Sequence, residues 1–211
     1  MEDQKNGIHD FLNSLSDVQR TGKIGSIVMN CDPFTLGHQY LIETAASSCD
    51  HLYIFVLSED QGYFSAKDRL EMVKRGTSHI NNVTVLTTGP YLISNATFPT
   101  YFLPNRDQAD EIHCQLDVEI FARYFAPAFG ITVRFVGTEP LSPLTDRYNT
   151  ALQEYLPARG IDVVEVPRLT QGSIPISASA VRKAYQNQDW ATVQKLVPIT
   201  TYEYLKQEVS L

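Results

Sequence analysis

The chain has 211 residues, 43% of them hydrophobic, and a formal net charge of −7. That length supports one well-buried core and is short for two, while the acidic balance leaves no strongly basic face of the kind that supplies nonspecific nucleic-acid affinity, so DNA and RNA are not expected partners. Apolar runs are short, the longest spanning Leu52 to Leu57, and the opening Met-Glu-Asp-Gln-Lys lacks the features of a signal peptide, so the expectation is a soluble, cytoplasmic chain with no membrane partner.

Residues 1–22 carry Phe11, Leu12, Leu15 and Val18 at helical spacing before Thr21-Gly22-Lys23, and read as a short amphipathic helix serving as an arm or linker to a domain over 23–211. Apolar runs suited to buried strands then recur at Ile24–Met29, Leu52–Leu57, Val83–Leu86, Ile131–Val136 and Val163–Val166, each separated by enough chain for a helix. Helices are expected over Gly37–Ser47, Lys67–Thr77, Asp107–Phe125, Asp146–Leu156, Ser179–Asn187 and Trp190–Leu196. The alternation predicts an α/β fold, a doubly wound Rossmann-like parallel sheet of about five strands with helices on both faces, whose ligand crevice lies at the carboxyl ends of the strands. The segment Gly89–Arg106 is rich in Pro, Tyr, Phe, Ser and Thr without clear period, and long irregular connections of that kind tend to carry function.

The junction Ile24-Gly-Ser-Ile-Val-Met-Asn-Cys-Asp-Pro-Phe-Thr-Leu-Gly-His38 runs from a strand through a polar turn into a helix. The first turn of a helix has backbone N–H groups without partners and the positive end of the helix dipole, so it stabilises an anion. Thr35 and His38 add a hydroxyl and an imidazole there. Near the end of the chain, Ile174-Pro-Ile-Ser-Ala-Ser-Ala-Val-Arg182 places Ser177 and Ser179 at another helix start, with Arg182 one turn after Ser179. Two anion sites in one crevice suit a polyphosphate, and hence a nucleoside triphosphate.

Other candidates carry competing readings. Cys31, Cys49 and Cys114 have no spacing suited to zinc or a disulfide framework and read as reduced thiols, Cys31 as a space-filling residue in the phosphate turn. Arg69 belongs either to a solvated helix start or to a substrate contact, and Asp117, on an expected helix, is open in the same way. Tyr91, Phe98, Tyr101 and Phe102 form either core or a lid over a substrate site, with Tyr101 as the lid's candidate contact. His9, His51, His79 and His113 read as surface or capping residues, and no metal-binding residues are proposed.

Thr35-Leu-Gly-His38 together with Ile176-Ser-Ala-Ser-Ala-Val-Arg182 resembles the nucleotidylyltransferase superfamily. Met29-Asn-Cys-Asp-Pro-Phe-Thr-Leu-Gly-His-Gln-Tyr-Leu41, Phe64-Ser-Ala-Lys-Asp-Arg69, Ser94-Asn-Ala-Thr-Phe-Pro-Thr-Tyr-Phe102 and Gly137-Thr-Glu-Pro140 are similar, within it, to the carboxy-terminal catalytic region of the citrate lyase ligase family. The resemblance covers about residues 20 to 200. It implies activation of acetate by ATP to acetyl adenylate, then acetylation of the prosthetic-group thiol on the citrate lyase acyl carrier subunit, with release of AMP and pyrophosphate. It also implies Mg2+ beside ATP. Thr35, His38 and Arg182 would be the catalytic residues, His38 stabilising charge near the α-phosphate, while Ser177, Ser179 and Arg182 hold the β and γ phosphates. Gly137 and Glu139 would approach base or ribose, and Asn30, Phe34, Gly37 and Ile176 fall within the nucleotide-binding motifs.

Two other functions share these features. A nucleotidylyltransferase would transfer AMP or CMP to a phosphorylated acceptor such as phosphopantetheine, and a noncatalytic nucleotide-binding module would use the same crevice. Citrate lyase ligases usually carry an acetyltransferase-like domain before this region, whereas some twenty residues precede the first strand here. The chain is accordingly expected to be a truncated form, an excised domain or a stand-alone relative.

Overall fold

The computed structural model describes residues 7–15, 20–94, 109–139, 143–171 and 174–208. Five parallel strands form the sheet: β1 (Ile24–Met29), β2 (His51–Val56), β3 (Val83–Thr87), β4 (Val133–Gly137) and β5 (Asp162–Val166), in the order β3-β2-β1-β4-β5. The expected strands are all present, with ends displaced by a residue or two, and the fold is the anticipated nucleotidylyltransferase-like α/β arrangement.

Strand alternation assigns the two faces. Tyr53 and Phe55 of β2 and Val136 of β4 join one apolar cluster, with residues of α1 (Gly7–Leu15), α4 (Ala109–Ile120), α5 (Ala126–Phe129) and α6 (Pro143–Tyr155). Leu52, Ile54 and Val56 of β2, with Val133 and Phe135 of β4, join the other. That second cluster takes in α2 (Leu36–Ser47), α3 (Ala66–Thr77), α7 (Ala178–Gln186), α8 (Trp190–Leu196) and α9 (Ile199–Glu208). Helix α1 is docked on the domain, with Ile8 and Leu12 buried in the first cluster and the Phe11 ring 5.2 Å from that of Tyr91.

The strand order reverses between β1 and β4, which is where a doubly wound sheet forms its crevice. The β1–β4 ladder covers Gly25↔Val133 and Ser26↔Arg134, although β1 runs on to Met29 and β4 to Gly137. The released ends of these two strands wall a cleft of about 240 Å3. A short antiparallel hairpin, β6 (Thr170–Gln171) with β7 (Ile174–Pro175), leads from β5 to α7 and brings the late serine segment back to this edge.

Candidate functional site

Thr35 is the N-cap of α2. Its hydroxyl accepts from the His38 backbone N–H at 3.3 Å, while the His38 ring accepts through Nδ1 from the Thr35 backbone N–H at 3.1 Å. This reciprocal box satisfies two helix-end donors and leaves the N–H groups of Leu36 and Gly37 without intrahelical acceptors. Since a backbone N–H can only donate, Nδ1 is unprotonated and the neutral imidazole carries its proton on Nε2. Burial and the nearby Arg168 cation lower the His38 pKa to about 4, so the ring is neutral at physiological pH. Phe34 stacks on that ring at 5.9 Å with 14° between planes.

Ser177 caps α7, accepting from Ala180 N–H at 3.2 Å, and its oxygen lies 3.1 Å from the Ser179 hydroxyl. The two helix starts converge. Arg182 Nη1 donates to the Asp32 carbonyl oxygen and stands 3.4 Å from Asp32 Oδ2. A Cβ on Gly37 would lie 3.5 Å from the Ile176 carbonyl oxygen, so the chain before α7 passes beside the first turn of α2. Asp32 is itself fixed by the backbone N–H groups of Tyr63 at 2.9 Å and Phe64 at 2.8 Å.

Asn30, Thr35, Gly37 and His38 line the cleft from the first arm, and Gly137, Glu139 and Ile176 line it from the other side. Ala178 also lines it, so the start of α7 opens on its rim, with Ser179 exposed to solvent. The Gly137 carbonyl accepts from the Asn149 amide at 2.9 Å. Glu139 pairs with Arg168 at 2.7 Å.

Three residues expected at the site have fully buried side chains. Arg69 is fully buried and faces neither solvent nor the cleft. Its guanidinium donates to the carbonyls of Asn30, Leu57, Glu59 and Phe64 and to the Asn30 side chain, tying the loops after β1 and β2 together. Asp117 is also fully buried, accepting from Ile93 N–H at 2.6 Å and Tyr148 Oη–H at 2.7 Å, and so stands behind the cleft wall. The Phe34 side chain has no exposure and backs the His38 ring. Cys31 is buried and its thiol is pushed up by burial, against the pull of Arg69, so it stays protonated. Tyr101, Phe98 and Phe102 lie outside the described residues.

Arg168, Arg134, Tyr148 and Asn149 also line the cleft. Arg168 follows the Pro after β5, a position with no pattern to mark it. Arg134 did leave a mark: a charge inside an apolar strand.

Comparison with known proteins adds three findings. Residues 24–205 match the family model described as citrate lyase ligase C-terminal domain. The citrate [pro-3S]-lyase ligase of Klebsiella pneumoniae is 44% identical over 98% of this chain and 62% of its own length, and that of Haemophilus influenzae is 45% identical over 88% and 57%. The chain thus spans about three fifths of the length of the curated relatives it matches. Among solved structures, Thermotoga maritima TmcAL bound with alpha-thio ATP superposes with a TM-score of 0.57 at 16% identity, covering 89% of this chain and 56% of that one, a likeness of fold.

Proposed function

The chain belongs to the citrate lyase ligase C-terminal domain family, and from that premise we propose that it activates acetate with ATP and passes the acetyl group to the prosthetic-group thiol of the citrate lyase acyl carrier subunit. The observation that carries this reading is identity of 44% and 45% to two such ligases across nearly the whole chain. The convergence of two helix starts on one cleft supports it physically.

A carboxylate is an anionic nucleophile at neutral pH, so no general base is needed. Its oxygen bonds to the α-phosphorus, the bond from that phosphorus to the bridging oxygen breaks, and the electron pair leaves with pyrophosphate. The carrier thiol then gives up its proton to solvent, its sulfur bonds to the acyl carbon, and the bond from that carbon to the AMP oxygen breaks, AMP taking the electron pair. What the protein supplies is fixed donors where charge develops. The free N–H groups at the start of α2 receive phosphate oxygens, and His38, neutral with its proton on Nε2, adds a donor. Arg182 and the Ser177–Ser179 hydroxyls meet the β and γ phosphates from α7, Arg182 keeping the two arms in register through Asp32. Main-chain groups near Gly137 and Glu139 approach the nucleoside.

Mg2+ does not find a protein-built site among the described residues. No three His, Cys, Asp or Glu side chains converge there, and the Asp32 carboxylate is occupied by backbone N–H groups and Arg182. Any such ion enters as the counter-ion of ATP, the usual situation for magnesium at triphosphate sites.

Exchange of labelled pyrophosphate into ATP tests the reading. Acetate-dependent exchange is expected. Exchange that ignores acetate and requires a phosphorylated acceptor such as phosphopantetheine would replace it with nucleotidyl transfer, and ATP binding without exchange for any acid or acceptor would leave a binding module.

A further inference from the structure

Arg134 is the second residue of β4, opposite Ser26 of β1 and Val163 of β5. A cation withdrawn from water is costly unless it is paired and hydrogen-bonded. Arg134 is 2% exposed, yet among the described residues its Nε and Nη1 have no hydrogen-bond partner. The guanidinium carbon lies 4.7 Å from the centroid of the Phe121 ring. That contact covers a face of the group and uses none of its N–H edge. Asp117, a carboxylate that acts on Arg134 across space, places Oδ1 on Ile93 N–H and Oδ2 on Tyr148 Oη–H. Burial lowers the Arg134 pKa, and Tyr148 and Asp117 raise it across space without filling those donors.

Arg134 lines the same cleft as Thr35 and His38, beside Val28, Ile93, Val136 and Tyr148. We propose that Arg134 binds the carboxylate of the acid substrate, with the apolar side chains of Val28, Ile93 and Val136 receiving the acid's short hydrocarbon end. The inference deepens the reading given above and rests on it. Charge favours a carboxylate over a phosphate here: Arg134 and Asp117 together are neutral, so a monoanion adds a single buried charge where a phosphate dianion adds two. Phosphate oxygens have the helix starts of α2 and α7 instead. A planar guanidinium with open N–H positions is matched to a carboxylate in geometry as well as charge.

The 15Nε resonance of Arg134 in the wild-type chain reads this directly. In the presence of a non-hydrolysable ATP analogue it is expected to shift saturably with acetate and not with chloride at equal ionic strength. R134K, which keeps the charge but loses the fork, is expected to raise the acetate KM for pyrophosphate exchange tenfold or more, with the ATP KM within twofold of wild type. If the wild-type protein exchanges pyrophosphate in response to acetate while the Nε signal stays unmoved, the proposal fails and acid activation stands. A shift produced by the ATP analogue alone, with none from acetate, also overturns it. Should R134K not fold, the wild-type titration decides by itself. Absence of acetate-dependent exchange in the wild type removes the acid-activation reading and this assignment with it.

Discussion

At the residue scale, His38 has a structural task and, in the proposed reaction, a chemical one. Its Nδ1 closes the cap of α2 while Nε2 keeps the ring's proton. Removing a donor of this type costs about a hundredfold to a thousandfold in turnover, so H38A is expected to lose that much pyrophosphate exchange. The lost cap contact costs about 1 kcal/mol, so circular dichroism should still report the wild-type fold. The depressed pKa gives a second outcome. With the folded value at about 4 and the unfolded one near 6.5, the unfolded chain binds a proton that the folded chain refuses between those values. Stability from this group is therefore present above about pH 6.5 and falls as pH drops toward 4. The His38 Cε1–H resonance should show no titration between pH 8 and 5, and a midpoint near 6.5 would contradict the part-buried, neutral ring. The helix start formed by Thr35, Gly37 and His38 was legible because a helix start has local rules. Arg69 and Asp117 were not, since a charged side chain in sequence does not reveal whether water or a ring of carbonyls surrounds it.

At the element scale, α3 is pressed against the turn that carries the site. A Cβ on Gly76 would fall 2.3 Å from Phe34 Cε1 and 2.8 Å from Cδ1, and Phe34 in turn backs the His38 ring. Overpacking of this kind costs about 1–3 kcal/mol. G76A is expected to lower the unfolding free energy by that amount, seen as a lower denaturant midpoint, and to reduce exchange by displacing His38, whereas a midpoint equal to wild type would show that Phe34 can move freely. Periodicity found the helix after the irregular segment but not its course: α4 passes through a π-helical turn at Phe121–Phe125 into α5, with Ala126 N–H bonding to Phe121 O. Pro127 explains the widening, because it lacks an N–H and its ring crowds the carbonyl four residues earlier. The β6–β7 hairpin has two residues per strand, too few for alternation to register. Helix α9 escaped notice although Thr201, Tyr204 and Leu205 form its buried face, since a threonine and a tyrosine do not stand out as apolar in a pattern.

At the scale of the whole molecule, the site exists because distant parts of the chain are folded to one sheet edge: the turn after β1 and the start of α7, bridged by Arg182 on Asp32 across 150 positions. The polar link between these arms is Arg182 on the Asp32 carbonyl and a 3.4 Å ion pair to the buried Asp32 carboxylate, beneath which Phe34 and Val181 share one apolar cluster. A nucleotide whose phosphates touch both arms would bind the folded state alone and tie them together, so ATP should raise the melting temperature with concentration. Amide exchange locates that coupling. The N–H groups of Leu36 and Gly37, and those of Ala178 and Ser179, open their helices and have no intrahelical acceptors. They are expected to exchange rapidly in the free protein and to slow together when ATP is added, while amides in the middle of α9, remote from the cleft lining, keep their rates. Protection confined to α2 would mean that the late serine and arginine segment holds the turn in place without touching phosphate. Joint protection is the outcome that two helix starts sharing one polyphosphate require.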